Sequence, residues 1–228
     1  MNVHTQVAIL NNEGVALLEV EIIKAVEYFK YAIEIMSHSF TTSNQSMNTA
    51  TSTQSHSTLI NKSSAKILAE DDDNFYIHRH AFHILPASGS QAEQCHHADL
   101  FFCSAVVSFN LALAHHKIGM SENSPSFGYR TALQFYDVTL TFLDKIAIDS
   151  VDAQQLMLAA LNNQSHINVM LDNKDLALQK LLLLKEMSCA LVLPDDEDSS
   201  TIIEQCDVNE FIRNAKWIIE QKSCAAAC

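Results

Sequence analysis

The chain has 228 residues and a formal charge of −13, from 14 Lys and Arg residues against 27 Asp and Glu residues. This negative excess repels phosphate groups, so we expect no nucleic-acid partner, and no apolar run reaches the length of a membrane span. Only 4 Gly and 3 Pro occur, too few for the tight turns of a β-sandwich or β-barrel. The composition therefore predicts an all-α protein with no membrane or nucleic-acid partner.

The N-terminus and the cysteines bear on the compartment. The opening MNVHTQVAILNNEG lacks the basic start and long apolar run of a secretory signal. The six Cys residues form no CxxC pair, and a chain of this length does not need disulfides to hold its core, so reduced thiols are expected. We therefore expect a cytoplasmic protein, with the nucleus as the second possible compartment.

Helical periodicity begins near the N-terminus. Residues 5–37 carry apolar side chains on two helical stripes, which predicts a helical hairpin that turns near residues 19–21. Residues 38–74 are rich in Ser, Thr, Asn and Gln, and this composition predicts a disordered insertion. Residues 75–90 hold aromatic and branched residues before Pro86 and a Ser/Gly cluster, which predicts an extended segment.

The helical pattern returns after the extended segment. Residues 91–146 form a second predicted hairpin, with a helix that ends near Ile118 and a long turn after Gly119. Residues 150–192 form a third hairpin that turns at DNKD, and residues 199–223 have the spacing of a capping helix. We expect all these elements to fold as one domain.

The three predicted hairpins share an order of residues. The tripeptide LNN occurs at residues 10–12 and 161–163, and Asn110 takes the same place in the second hairpin. Each second helix then has an Ala followed four residues later by a bulky residue. Small residues let two helices approach closely, and a large one fills the space to the next hairpin. The predicted packing positions are Gly14, Ala25, Phe29, Ala32, Ala112, Ala132, Tyr136, Ala177 and Leu181.

This order resembles the tetratricopeptide repeat, in which antiparallel helix pairs stack with small residues where they cross. More faintly, the chain is similar to tetratricopeptide-like proteins of diatoms and related algae, which implies no activity. The resemblance implies a right-handed α-α superhelix of three hairpins with a C-terminal capping helix. The chain departs from the repeat in its long second turn and at Ser165, where the family has Gly.

The resemblance also implies a binding surface. In this family the first helix of each hairpin lines a concave groove, where an Asn amide can donate to and accept from the backbone of an extended peptide. The implied function is a scaffold for a protein or peptide. A basic or neutral apolar peptide is favoured, because the Lys and Arg that would hold a carboxylate are missing from these helices. The groove residues would be Asn11, Asn12, Phe109, Asn110, Leu113, His116, Asn162, Asn163, His166 and Val169.

Other interpretations stay open at this point. The Asn residues could satisfy helix groups within the stack, or the protein could be structural and self-associate. Residues 75–85 could also lie in the groove as an internal strand-like ligand. No phosphate-binding Gly loop, nucleophile motif or standard metal-ligand spacing occurs. We therefore expect no enzyme activity, cofactor or metal, with a cryptic metal protein or hydrolase as the remaining alternative.

Overall fold

The computed structural model describes residues 2–43, 60–62, 77–85, 97–121, 125–146, 150–191, 211–214 and 216. These ranges are mostly helical, as the composition predicts for an all-α protein. None of the described helices is long and apolar enough to cross a membrane. In chain order the elements are α1 (Val3–Leu17), α2 (Ile22–Ser43), β1 (Ile60–Lys62), β2 (Phe82–Ile84), α3 (His97–Ser121), α4 (Ser126–Leu143), α5 (Val151–Met170) and α6 (Lys174–Leu191).

The chain divides into two compact units, which differs from the single domain expected from the sequence. Unit 1 combines residues 1–64 with residues 80–153, and unit 2 combines residues 65–79 with residues 154–228. Hydrophobic periodicity marks where helices lie but not which hairpins share contacts, so the division could not be read from it.

In unit 1, α1 and α2 form the first hairpin, with a turn where the periodicity predicts it. Asn2 caps α1, since its side chain accepts a hydrogen bond from the Thr5 backbone N–H at 2.8 Å. The helices approach closely at Gly14, where an added Cβ would lie 2.5 Å from Phe29 Cε1. The small and large residues predicted to meet in this hairpin are therefore in contact.

The second hairpin of unit 1 joins α3 and α4, which contact each other. An added Cβ at Gly128 would lie 2.5 Å from the Gly119 backbone nitrogen, and one at Gly119 would lie 2.6 Å from Tyr129 Cδ1. The two glycines thus let the start of α4 lie directly against the end of α3. The predicted long turn is shorter than expected, because α3 continues to Ser121 and α4 begins at Ser126.

The two strands also belong to unit 1. β2 contacts α1 and α3. β1 and β2 pair antiparallel, with Ile60 opposite Ile84, Asn61 opposite His83 and Lys62 opposite Phe82. β2 is therefore placed between a second strand and the first helices of both hairpins of this unit.

Unit 2 contains α6, most of α5 and the helical residues 211–214. α5 ends at the DNKD turn, as predicted. Asp172 adopts a φ of 58° there, and its N–H donates to the Val169 carbonyl at 3.0 Å. A left-handed residue just after a helix is a common way to satisfy its last carbonyl groups.

The predicted insertion of residues 38–74 contains ordered structure at both described places. α2 continues to Ser43, and residues 60–62 form β1, so the expectation of disorder is wrong at these residues. The average composition of residues 38–74 is polar and does not reveal single apolar residues that pack on distant parts of the chain. One of them is Phe40, whose ring stacks on Phe101 with centroids 5.2 Å apart. The rest of the insertion, both ends of the extended segment and most of the capping helix lie outside the described residues.

Candidate functional site

Asn side chains of α1 and α3 hold β2 along one edge. Asn110 Oδ1 accepts a hydrogen bond from the Phe82 N–H at 2.9 Å, and Asn110 Nδ2 donates to the Phe82 carbonyl at 2.8 Å. Asn12 does the same at Ile84, with distances of 3.0 and 2.8 Å. We call this arrangement an amide pair: one Asn side chain bonded to both the N–H and the C=O of one residue. An adjacent strand would supply the same donor and acceptor.

The two-residue spacing of these amide pairs follows from strand geometry. In an extended chain, residues i and i+2 direct their backbone groups to the same edge and their side chains to the same face. Phe82 and Ile84 therefore direct their backbone toward the Asn side chains. The backbone of His83 faces the opposite edge, where β1 pairs with β2.

Asn11 connects the two amide pairs of unit 1. Its Nδ2 donates to the Phe82 carbonyl at 2.9 Å and to Asn12 Oδ1 at 3.2 Å, and its Oδ1 accepts from Asn110 Nδ2 at 2.8 Å. The Phe82 carbonyl thus accepts two hydrogen bonds, which is the capacity of its two lone pairs. Asn11 and Asn110 are fully buried. This network fixes the orientation of each side-chain amide group, because every amide oxygen must accept a hydrogen bond from a donor.

The side chains of β2 differ by face. Phe82 and Ile84 are buried, whereas His83 is half-buried. The Phe82 ring packs edge-on against Phe109 of α3, with centroids 5.1 Å apart and planes at 77°, an orientation that ring electrostatics favour. Burial lowers the pKa of His83, because desolvation disfavours the charged imidazolium. The surface therefore accommodates an aromatic and an aliphatic side chain on one face of an extended strand.

Unit 2 contains an amide pair of the same kind. Asn163 of α5 accepts from the His78 N–H and donates to the His78 carbonyl, both at 2.9 Å. Asn162 Nδ2 donates to Asn163 Oδ1 at 3.4 Å, and Asn162 Oδ1 accepts from Asn214 Nδ2 at 2.6 Å. The ring of Phe211 lies 6.3 Å from the His78 ring, centroid to centroid. One amide again binds both the N–H and the C=O of a single residue.

The repeated LNN tripeptide has the same arrangement in both units. The second Asn, Asn12 or Asn163, forms the amide pair with a residue distant in the sequence. The first Asn, Asn11 or Asn162, donates to the second and accepts from an Asn of another helix. In each pair the second Asn binds the backbone and the first Asn orients it, and in unit 1 the first Asn, Asn11, also donates to the Phe82 carbonyl.

The other predicted groove residues do not all face the strand. His116 was predicted to line the groove, but it lies inside the second hairpin. Its Nδ1 is 3.3 Å from the Tyr136 hydroxyl, and its ring is edge-on to Tyr129. The reason is helical geometry, since six residues after Asn110 corresponds to about 240° around the helix. Among the remainder, Leu113 and His166 are buried and Val169 is half-buried.

All the predicted packing residues are buried. Tyr136 fills the second hairpin and also contacts Phe109, with ring centroids 5.5 Å apart. Tyr136 thus supports, from behind, the ring that packs on Phe82. The full set of buried packing residues is Gly14, Ala25, Phe29, Ala32, Ala112, Ala132, Tyr136, Ala177 and Leu181.

Sequence reasoning missed Asn214, which orients Asn162 in unit 2. The available signal was an Asn three residues after Phe211 in a helical pattern, a position that places a polar amide on an apolar face. A second omission was β1, whose three residues are too few to produce a strand pattern.

In the described part of the chain, no three His, Cys, Asp or Glu side chains lie close enough together to hold a metal ion. Comparison of the chain with known protein families, curated proteins and solved structures gave no match. Function therefore has to be inferred from the geometry of the amide pairs.

Proposed function

We propose that the protein is a binding scaffold that holds an extended polypeptide strand on the α1 and α3 surface of unit 1. The observation that carries this proposal is the amide pair of Asn110, which bonds both the N–H and the C=O of Phe82. A neutral amide recognises backbone whatever the side chains are. In strand capture generally, such main-chain bonds supply affinity and pockets for alternate side chains supply specificity.

The proposed scaffold is a tetratricopeptide-like right-handed superhelix with a binding rather than a catalytic role. Two observations support it: the close packing of Gly14 on Phe29, and amide pairs on α1, α3 and α5, the first helices of the predicted hairpins. The charge of −13 favours a basic or neutral ligand over an acidic one. We therefore propose a protein or peptide segment without acidic side chains at the contact.

A second candidate function is structural. The strand on the surface belongs to this same chain, so β2 could be a permanent part of the core in a helical protein that self-associates. The two candidates differ in one property of the wild-type chain. A binding scaffold requires β2 to leave while the helices stay folded, whereas a structural strand leaves only on unfolding.

Hydrogen exchange on the wild-type chain separates these candidates. The N–H groups of Phe82 and Ile84 are bonded to Asn110 and Asn12. If β2 is a displaceable occupant, these two groups exchange with an opening free energy at least about 2 kcal/mol below that of the α3 amides, because local opening suffices. Equal opening free energies in β2 and α3 would support the structural candidate instead.

A direct binding test uses the full-length double variant Phe82→Asp and Ile84→Asp, in which the buried anchors of β2 become charged. The double variant is used to select binders from a displayed library of random linear peptides. The matched control is a triple variant that also carries Asn110→Ala. We expect linear peptides to be enriched on the double variant and to lose binding on the triple variant. Circular dichroism checks that both variants keep their helices. A folded double variant that enriches no peptide contradicts the proposed function.

A further inference from the structure

We infer that the partner strand carries a small residue, an aromatic residue, a non-acidic residue of any size and a branched aliphatic residue in that order, and that residues 81–84 compete with it in cis. This pattern rests on the strand-binding function proposed above. It adds the sequence class of the partner and the regulation of the same site.

The register of a bound strand is fixed by its backbone. Asn110 and Asn12 each bond one residue, and those residues are two apart. A partner must therefore present two N–H and two C=O groups at positions i and i+2, which excludes proline at either position because it lacks the N–H. β1 pairs with the other edge of β2 in antiparallel register, so a replacement strand that keeps this pairing has the same direction as β2.

The side-chain pattern follows from burial at these fixed positions. At position i the Phe82 ring is 1% exposed and packs edge-on against Phe109, so an aromatic ring is selected. Ile84 at i+2 is fully buried, and a branched aliphatic chain fills that space. Ala81 at i−1 is 3% exposed, which leaves no room for a larger side chain without rearrangement.

The position between the two anchors is permissive in size but not in charge. His83 is half-buried and lies on the opposite face from Phe82 and Ile84. Residues 80–85, HAFHIL, contain two His and no acidic residue, whereas the chain as a whole has a charge of −13. An acidic residue in the partner would therefore add to the repulsion, and a basic or neutral residue would not.

Competition in cis follows from the covalent connection. A tethered segment has an effective concentration on the order of 1 mM, so with an intrinsic Kd of about 10 μM for the internal strand itself, any partner would bind the wild-type chain about a hundredfold more weakly than a chain with a vacant site. The internal strand therefore sets a minimum affinity that a partner must have in order to bind. Partners that match the pattern poorly are excluded, and partners that match it well displace the strand.

The experiment uses fluorescein-labelled HAFHIL as the probe and fluorescence anisotropy as the readout. The receptors are the full-length wild type and the full-length double variant Phe82→Asp and Ile84→Asp. We expect the probe to bind the double variant about a hundredfold more tightly than the wild type. Methylation of the Phe nitrogen of the probe should weaken binding by about tenfold, because the hydrogen bond to Asn110 is lost.

Two further probes test the pattern itself. Replacement of the Phe by Asp should abolish binding, and replacement of the second His by Lys should leave the affinity within about threefold, because that side chain is on the permissive face. If the double variant does not fold, Phe82→Ala alone serves as the receptor. It weakens the internal strand by truncation and should give the same order of probe affinities.

Three results would overturn the inferred pattern or the competition. They are equal binding of the probes with Phe and with Asp, equal affinity of the wild type and the variant, and a wild-type dimer that exchanges residues 80–85 between copies. The proposed strand-binding function survives each result if panned peptides of another pattern bind in an Asn110-dependent manner. It fails if no linear peptide binds a folded variant, or if β2 and α3 have equal opening free energies in hydrogen exchange.

Discussion

An asparagine side chain presents the same donor and acceptor as a peptide group, at the end of a short stem. On the α1 and α3 surface, several of these donors and acceptors would lose their partners if no strand were bound. Asn11 and Asn110 are fully buried, and an unsatisfied buried polar group costs about 1–3 kcal/mol. A surface built from such amides is therefore unstable when empty and dry, which explains why a strand of the same chain covers it.

At the residue scale, Asn110→Asp tests the amide pair most directly. The nitrogen that donates to the Phe82 carbonyl and to Asn11 Oδ1 becomes an acceptor in a buried place. We expect the free energy of unfolding to fall by about 3 kcal/mol, because acceptors then face acceptors without water. Urea denaturation followed by circular dichroism measures this loss.

The matched control is Asn12→Asp. It makes the same exchange of atoms against the Ile84 carbonyl, but Asn12 is half-buried. Water can solvate the new carboxylate there, so the expected loss is about 1 kcal/mol. Equal losses at the two positions would mean that burial does not determine the strength of the amide pairs.

At the element scale, the helices and the extended segment that contains β2 were predictable, whereas the end of α2 and the strand β1 were not. Apolar residues recur at helical spacing in α1 and α3 to α6, so periodicity alone locates them. The end of α2 and the position of β1 depend on contacts with distant residues, such as Phe40 on Phe101 and Ile60 opposite Ile84. Local composition around those residues is polar and carries no trace of these contacts.

For Gly14→Ala, the packing of α1 on α2 and the helix propensity of Ala predict opposite effects on the free energy of unfolding. In a helix interior Ala is more stable than Gly by about 1 kcal/mol, so Gly14→Ala would stabilise an isolated α1. In the hairpin the new Cβ would lie 2.5 Å from Phe29 Cε1, and such overpacking costs about 1–3 kcal/mol. We therefore expect Gly14→Ala to lower the free energy of unfolding, as measured by urea denaturation.

A double-mutant cycle with Phe29→Leu provides the control for this contact. Leu removes the ring that the new Cβ would strike, so Gly14→Ala should cost less in that background than in the wild type. If Gly14→Ala is stabilising in both backgrounds, the close approach of the two helices at Gly14 is wrong.

At the scale of the whole molecule, the candidate site was only partly predictable. The LNN tripeptides and Asn110 could be identified because Asn recurs at one place in each hairpin. Their occupant could be proposed but not its register, since Asn12 bonds Ile84 across 72 positions of the chain and Asn163 bonds His78 across 85. Which backbone residue meets which amide depends on the assembled fold.

One buried and two half-buried histidines make the stability of unit 1 depend on pH. Burial lowers the pKa of His4, His83 and His115 from the ordinary value of 6.5, and Lys30 lowers that of His115 further. Asp99 opposes the effect at His4 without reversing it. Below 6.5 the unfolded chain therefore binds more protons than the folded chain. Stability is complete above that pH and is lost as the pH falls toward the lowered pKa values.

We expect urea midpoints that are constant between about pH 8 and pH 7 and that fall between about pH 6.5 and pH 5.5. The series stops above the sequence pI of about 5.1, where loss of net charge promotes association. His4→Gln should make the fall shallower, because one buried group no longer takes up a proton on unfolding. Midpoints that rise on acidification would contradict the lowered pKa values of the three histidines.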